Sequence, residues 1–295
     1  MLSEKQLLEL EIFAANVRIR ILEMISAAGK GHVGGSMSAA DVAAVLYGHY
    51  MNVDPENPRW EERDRLVMSK GHSGCAIYAA LLLRGFFPED WAPTLNQLGT
   101  RLPSHCDRQK TPGIDMTTGS LGQGLSAASG IAYANELLGR KVFTYCILGD
   151  GECQEGQPWE AMMFAGHHKQ GHLIAFVDMN GKQVDGVVDE ILPVHNIGAH
   201  AELFGWHVQT INGNDIRALS EAIENARNQT DRPSMIIMKT IKGFGCFAQD
   251  LVFNHGIGVS QEQYESERIR LESHINELTF RILHLSENDG KEVLA

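Results

Sequence analysis

The sequence predicts an α/β fold, a mostly parallel sheet with helices on both faces, from three observations. The apolar runs Val142 to Leu148 and Leu173 to Val177 flank a helix-like stretch from Glu155 to Lys169. Strand, crossover helix and strand in that order make a βαβ unit, whose strands run parallel. The same plan occurs earlier, where Leu66 to Met68 leads through Lys70, Gly71 and His72 to the buried helical stretch Ala76 to Leu83. It returns once more in the strand-like runs Trp206 to Ile211 and Ser234 to Lys239, with a helical stretch from about Asp215 to Asn228 between them.

The remaining elements follow in chain order. Residues 5 to 27 carry Leu7, Leu10, Phe13, Ala14, Val17, Ile21, Met24 and Ile25 at the spacing of an amphipathic helix, which Gly29 and Gly31 end. After the loop from Gly31 to Gly35, Ser38 with Asp41 three residues on has the form of a capping box, predicting a second helix to about Tyr50. Residues 52 to 63 are rich in Pro, Asn and Asp and read as loop. Residues 88 to 117 hold four prolines and little periodicity, a long irregular loop of the kind that carries function. The glycine-rich segment Thr117 to Gly124 runs into a small-residue helix, Leu125 to Leu138, and lets a ligand approach the backbone at a helix start. Residues 260 to 285 form a charged amphipathic helix, and a polar tail begins at Glu287. With no repeat and no internal boundary, residues 1–295 are expected to form a single domain with a C-terminal helix and tail.

Composition narrows the function. A chain of 295 residues that is 43% hydrophobic and 21% charged can bury a large core. Its net charge of −12, without a Lys/Arg block, argues against a nucleic-acid partner, and an anionic ligand would need a local basic site. Five cysteines without a CxxC pair read as thiols of a cytoplasmic protein. The start of the chain is acidic and no apolar stretch reaches spanning length, so a soluble protein without membrane association is expected.

The chemistry concentrates at two turns. Gly149, Asp150 and Gly151 follow one strand-like run, and Asp178, Met179 and Asn180 close the next. Both turns lie at the carboxyl ends of neighbouring parallel strands, where open α/β sheets bind ligands. A carboxylate and an amide oxygen there suit Mg²⁺ or Ca²⁺ shared with a ligand's phosphates, and the glycines let backbone approach a diphosphate. Of thirteen histidines, His32, His72, His105 and His255 sit in loops at such ends, and near-neutral imidazoles suit proton transfer near pH 7. His168 and His172 have the spacing of a zinc pair, but Gly171 is expected to end the helix before the second, which makes them surface residues. Met162 to Phe164 reads as core, and for Glu155 and Glu160 a helix-dipole role is the simple alternative.

The string GDGECQEGQPWEAMMFAGHHKQGHLIAFVDMNGKQVDG, residues 149 to 186, resembles the thiamine-diphosphate motif of the transketolase family. The likeness covers most of the chain: GKGHVGGSMS near residue 30, SKGHSG at 69, RLPSHCDRQKTPGIDMTTGSLGQG at 101, and TIKGFG with NHG after 240. It implies a diphosphate-binding (PP-type) domain that holds thiamine diphosphate and Mg²⁺, with Ca²⁺ or Mn²⁺ as substitutes. Asp150, Asn180 and the backbone carbonyl of Lys182 would bind the metal. Gly119, Gly149 and the N–H of Gly151 would serve the cofactor, with His72 and His255 near the diphosphate and Lys242 a further phosphate contact. Leu121 would pack on the aminopyrimidine and Val184 against the thiazolium. His32, His105, Glu155 and His255 would be catalytic, the first two facing the donor's hydroxyls, with Glu155 also at the cofactor and linking the two active sites of a dimer. Two positions depart from the family pattern, Val33 and Ser120, where it has proline.

The activity implied is transfer of a two-carbon ketol unit from a ketose to an aldose. In the family a glutamate on a second, pyrimidine-binding domain completes the site, and the residues after 260 leave no room for that domain. The chain is therefore expected to be the amino-terminal subunit of a split transketolase, paired with a C-terminal transketolase subunit in an assembly such as α2β2. Two alternatives are a subunit of another thiamine-diphosphate enzyme, deoxyxylulose-phosphate synthase-like or 2-oxo-acid decarboxylase, and a non-catalytic regulatory subunit.

Overall fold

The structure, a computed structural model, describes residues 1–184 and 186–292, with side chains to 285. The chain opens with α1 (Glu4–Ala28), capped by Ser3 and Gln6 in a capping box and ended by Gly29 at φ 76°. Next come α2 (Val33–Ser38), α3 (Ala40–Val45), a π turn at Leu46–Tyr50, β1 (Arg65–Met68) and α4 (Gly74–Leu83). The irregular stretch expected from 88 to 117 contains one 3-10 segment, Glu89–Thr94. It leads to α5 (Gln123–Leu137), β2 (Thr144–Gly149), α6 (Gly156–His167) and β3 (Leu173–Met179). A hairpin of β4 (Lys182–Gln183) and β5 (Gly186–Val187) precedes α7 (Val188–Ile191), α8 (Ile197–Leu203), β6 (His207–Asn212), α9 (Ile216–Asn228), β7 (Ser234–Lys239) and α10 (Gln261–Glu292).

Five strands form one sheet in the order β1-β2-β3-β7-β6, and every neighbouring pair is parallel. Successive side chains of the central strands feed two cores, because a strand points alternate residues to opposite faces. Tyr145, Ile147, Ile174, Phe176, Ile236 and Met238 join one with α1, α3, α4 and α9. Cys146, Leu148, Ala175, Val177, Met235 and Ile237 join the other with α5, α6 and α8. Burial on both sides explains why these strands read as continuous apolar runs. All five cysteines are buried and free, and among the described residues no helix is long and apolar enough to cross a membrane.

Three local expectations are corrected. The helix predicted from Ser38 to about Tyr50 is present as α3 and the π turn, preceded by a separate short α2, but its N-cap is Ala39, and Ser38 and Asp41 form no capping box. Ser38 Oγ donates to Asp178 Oδ2 at 2.5 Å, and Asp41 is paired with Arg18 at 2.7 Å, so distant partners outcompete the local cap. Of Met162 to Phe164 only Met162 is core; Met163 and Phe164 are 48% and 44% exposed, since consecutive helix positions diverge by about 100°. Finally, α10 runs through the expected polar tail to Glu292; the tail's last residues, 293–295, lie outside the described residues.

One buried carboxylate ties the carboxyl ends of the strands together. Asp178, at the end of β3, is fully buried and pairs with the Lys70 ammonium that follows β1. It also accepts hydrogen bonds from Ser38 at the end of α2, from Thr240 just after β7, and from Asn180 Nδ2 at 3.1 Å. Lys70 Nζ donates further to the Gly35 carbonyl at 3.1 Å. Removing one member of such a pair strands a buried charge. Lys70→Met is therefore expected to lower unfolding stability in urea by about 3–5 kcal/mol. Adding Asp178→Leu should recover part of the loss; unchanged stability of the single variant would remove the pair from this role.

Candidate active site

The turn after β2 and the turn after β3 meet across adjacent strands, with Gly149 in register with Asp178. Asp150 Oδ2 accepts from the Gly181 N–H at 2.6 Å, and Oδ1 from the Gly151 N–H at 2.8 Å. Asn180 Oδ1 accepts from the Lys182 N–H at 3.1 Å. The Lys182 carbonyl accepts from Lys242 Nζ at 3.0 Å, and that ammonium lies 3.3 Å from His255 Nδ1. Asp150, Asn180, Lys182, Lys242 and His255 thus form one continuous polar seam.

The histidines expected at strand ends converge from four different segments. His32 precedes α2, His72 lies in the 3-10 turn after β1, His105 in the long loop and His255 before α10. The His32 ring centroid is 5.4, 5.5 and 5.2 Å from those of His72, His105 and His255, and His72 is 4.8 Å from His255. A Cβ built on Gly119 would stand 3.7 Å from His105 Cδ2, which places the glycine-rich loop against the cluster.

Burial, aided by neighbouring lysines and imidazoles, lowers the pKa of His72 to about 2 and of His255 to about 4. Burial likewise lowers His32, with help from His105, Lys242 and Lys30, and it lowers His105. The expectation that their charge changes near pH 7 is corrected: in the unliganded chain the cluster is neutral there, each ring offering one donor and one acceptor. Asp150 behaves oppositely. Burial, reinforced by Asp178, raises it to about 6, against the lowering pull of the Gly181 and Gly151 N–H groups and of Lys70, which is itself paired with Asp178. Burial and Lys70 bring Lys242 down to about 8. Lys30, Lys70, Lys182 and Lys242 all act on this cleft, which makes it a local basic site within an acidic chain.

The donor set fits a hard divalent ion. A buried carboxylate without its own cation lies beside an amide oxygen and a backbone carbonyl. Among the described residues no group of three or more His, Cys, Asp or Glu could hold a metal. The buried Ser73 hydroxyl has no hydrogen-bond partner, and a Cβ on Gly35 would meet it at 2.6 Å. Gly35 therefore packs its backbone directly on Ser73, where no other residue type would fit.

Other sequence-predicted residues stay apart from the seam. Glu155 is the exposed N-cap of α6, and Leu121 and Val184 are 38% and 60% exposed. Phe164 and Tyr133 rings pack on His168, and Phe143 on His172. Sequence reasoning missed the supports: Lys70, the role of Asp178, and Glu152. Glu152 is 3% exposed and accepts from the Gly122 N–H at 2.9 Å, the Gly149 N–H at 3.0 Å and the Ser69 hydroxyl. Two carboxylates placed immediately around strand-end turns were the available signal. A cavity of about 850 Å³ lies between α1, α10 and residues 212–216, but its buried Arg18 and Asp41 neutralise each other, so the seam is the better site.

Residues 11–284 match the family model described as transketolase, thiamine diphosphate binding domain. The chain is 48% identical over 272 residues to a 6-deoxy-6-sulfo-D-fructose transketolase subunit of Clostridium sp. (strain MSTE9), covering 92% of this chain and 98% of that protein. It is 33% identical to an apulose-4-phosphate transketolase subunit of Phocaeicola vulgatus, covering 96% and 98%. Transketolase from Pichia stipitis superposes with a TM-score of 0.83 at 27% identity, over 97% of this chain and 46% of that one. The chain thus spans nearly all of the two bacterial relatives and just under half of the solved enzyme.

Because His72 is held neutral below its ordinary pKa, the unfolded chain takes up a proton there before the folded one, and stability falls as pH drops below about 6.5. His72→Gln should therefore show a smaller fall in Tm between pH 7.5 and 5.5 than the parent chain. Equal falls would contradict the buried neutral imidazole.

Proposed function

The chain belongs to the transketolase family through its thiamine diphosphate-binding domain, and from that premise we propose that it is the amino-terminal subunit of a two-chain transketolase. Thiamine diphosphate, when bound, supplies the carbanion chemistry that moves a two-carbon ketol unit from a ketose to an aldose. The observation that carries the reading is the seam from Asp150 to His255 lying directly against the neutral histidine cluster.

In this reading Asp150, Asn180 and the Lys182 carbonyl hold Mg²⁺. The Gly151 N–H, His72, His255 and Lys242 face the diphosphate, and Gly119 and Gly149 keep the backbone close. Leu121 and Val184 are apolar surfaces left for the cofactor's rings, consistent with their exposure. Glu155, exposed at the start of α6, is available to a second subunit. His32 and His105, neutral and each able to donate and accept, orient sugar hydroxyls and pass protons between them.

The partner is a C-terminal transketolase subunit bearing the pyrimidine-binding domain, in an α2β2 assembly; relatives that match this chain nearly end to end are themselves named subunits. Residues 1–295 act as one diphosphate-binding domain built on the single five-stranded sheet. Free, buried cysteines suit a cytoplasmic location. Four clustered histidines favour a polyhydroxylated sugar over a 2-oxo acid as donor. The named sugars of the relatives, a sulfo-fructose and apulose 4-phosphate, mark the range of ketoses to assay.

In the assembled enzyme, His105→Ala is expected to reduce kcat by about 10²–10⁴-fold while changing thiamine diphosphate affinity by less than about threefold. Steady-state kinetics and calorimetry read both, and unaltered turnover would remove His105 from the mechanism. The purified chain alone should transfer no measurable ketol unit; full activity without a partner would overturn the two-chain reading.

A further inference from the structure

Of the oxygens assigned to the metal, only the Lys182 carbonyl carries a cation. The Asp150 and Asn180 oxygens accept from backbone N–H groups, which leaves their remaining lone pairs free for a metal. The Lys182 carbonyl accepts from the Lys242 ammonium at 3.0 Å. Lys242 is 4% exposed, and its position is fixed from both ends: Asn254 Nδ2 donates to its carbonyl at 2.8 Å, and its ammonium lies 3.3 Å from His255 Nδ1. Asp150 and Asp178 act on it through space, but among the described residues no carboxylate is in ion-pair contact with it. Two other lysines of the cleft are committed elsewhere, Lys70 to Asp178 and the Lys182 ammonium to the Leu251 carbonyl at 3.2 Å, and Lys30 is exposed.

From this arrangement we propose that Lys242 is an internal stand-in for the divalent cation. It holds the turn after β3 against the segment after β7 in the cofactor-free chain, and it gives up the Lys182 carbonyl when the metal arrives. A divalent ion on that oxygen would sit about 2.1 Å from it, within about 5 Å of the ammonium. Two cations so close in a buried cleft repel far more strongly than in water, so both cannot keep their places. The four-carbon stem of lysine can re-aim its charge. An incoming diphosphate gives the displaced ammonium a new acceptor, so metal alone is disfavoured and metal with diphosphate is favoured. The chain would thereby resist loading with bare metal. This inference rests on the assignment of Asp150, Asn180 and Lys182 as the metal set.

The test uses the full chain without cofactor, with Mn²⁺ as the probe followed by electron paramagnetic resonance. Lys242→Met, checked for native circular dichroism, is expected to bind Mn²⁺ alone about tenfold more tightly than the parent. At saturating Mn²⁺ the same variant should bind thiamine diphosphate about tenfold more weakly. A merely structural lysine would not move the two affinities in opposite directions. Mn²⁺ binding by Lys242→Met that is equal to or weaker than the parent's overturns the stand-in, and Lys242→Gln repeats the comparison should the Met variant misfold. Asp150→Asn separates the two levels. Loss of Mn²⁺ binding in that variant keeps the site assignment whatever Lys242 does, and retention of Mn²⁺ overturns the assignment and the stand-in with it.

Discussion

Asp178 has no exposed surface and still keeps its charge. Burial alone would push its carboxyl up, but Lys70, Ser38 and Thr240 together hold it below the ordinary carboxylate range. Those partners come from the ends of β1, α2 and β7, so a single ionised side chain sets the spacing of the elements that carry the site. His72 follows Lys70 by two residues, Asn180 follows Asp178 by two, and Lys242 follows Thr240 by two. These three candidate site residues therefore hang one short step from the same anchor. Glu152 repeats the device on the other side, binding the Gly122 and Gly149 amides and so fixing the glycine-rich loop to the turn that holds Asp150.

This anchoring divides the local lysines into two kinds. Lys70 is neutralised by Asp178 and serves the architecture, whereas Lys242 rests on a carbonyl and a neutral ring and remains available to an anion. A chain of net charge −12 can therefore attract a diphosphate, because positive charge is concentrated where the strands end. The desolvation that lowers the imidazoles also raises Asp150, so at neutral pH the charges of the cleft are carried by its lysines and carboxylates and not by its histidines.

What could be read from the sequence divides by the range of the interaction responsible. The strands were legible because burial on both faces forces continuous apolar runs, and α1 because one buried face imposes helical spacing. Asp150, Asn180 and His72 stand beside glycines in turns that follow strands, which made them legible as candidates, whereas His32, His105 and His255 lie in loops that follow no strand directly and reach the cluster through the fold. Ser38 and Asp41 misled because their pattern is local while their partners, Asp178 and Arg18, are distant in sequence. Lys70 and Glu152 lie within quoted motifs, yet nothing in their spacing shows that one meets a strand 108 residues on and the other a loop 30 residues back. The β4–β5 hairpin, two residues per strand, is too short to leave a periodic trace.

The central claim is that one divalent ion bridges the turns after β2 and β3. Crystals of the chain with its partner, grown with thiamine diphosphate and Mn²⁺, would locate that ion by its anomalous scattering. The account predicts a single peak within about 2.2 Å of an Asp150 carboxylate oxygen, Asn180 Oδ1 and the Lys182 carbonyl, with diphosphate oxygens completing the shell. A peak away from these three oxygens, or cofactor bound with no metal between the turns, would contradict it.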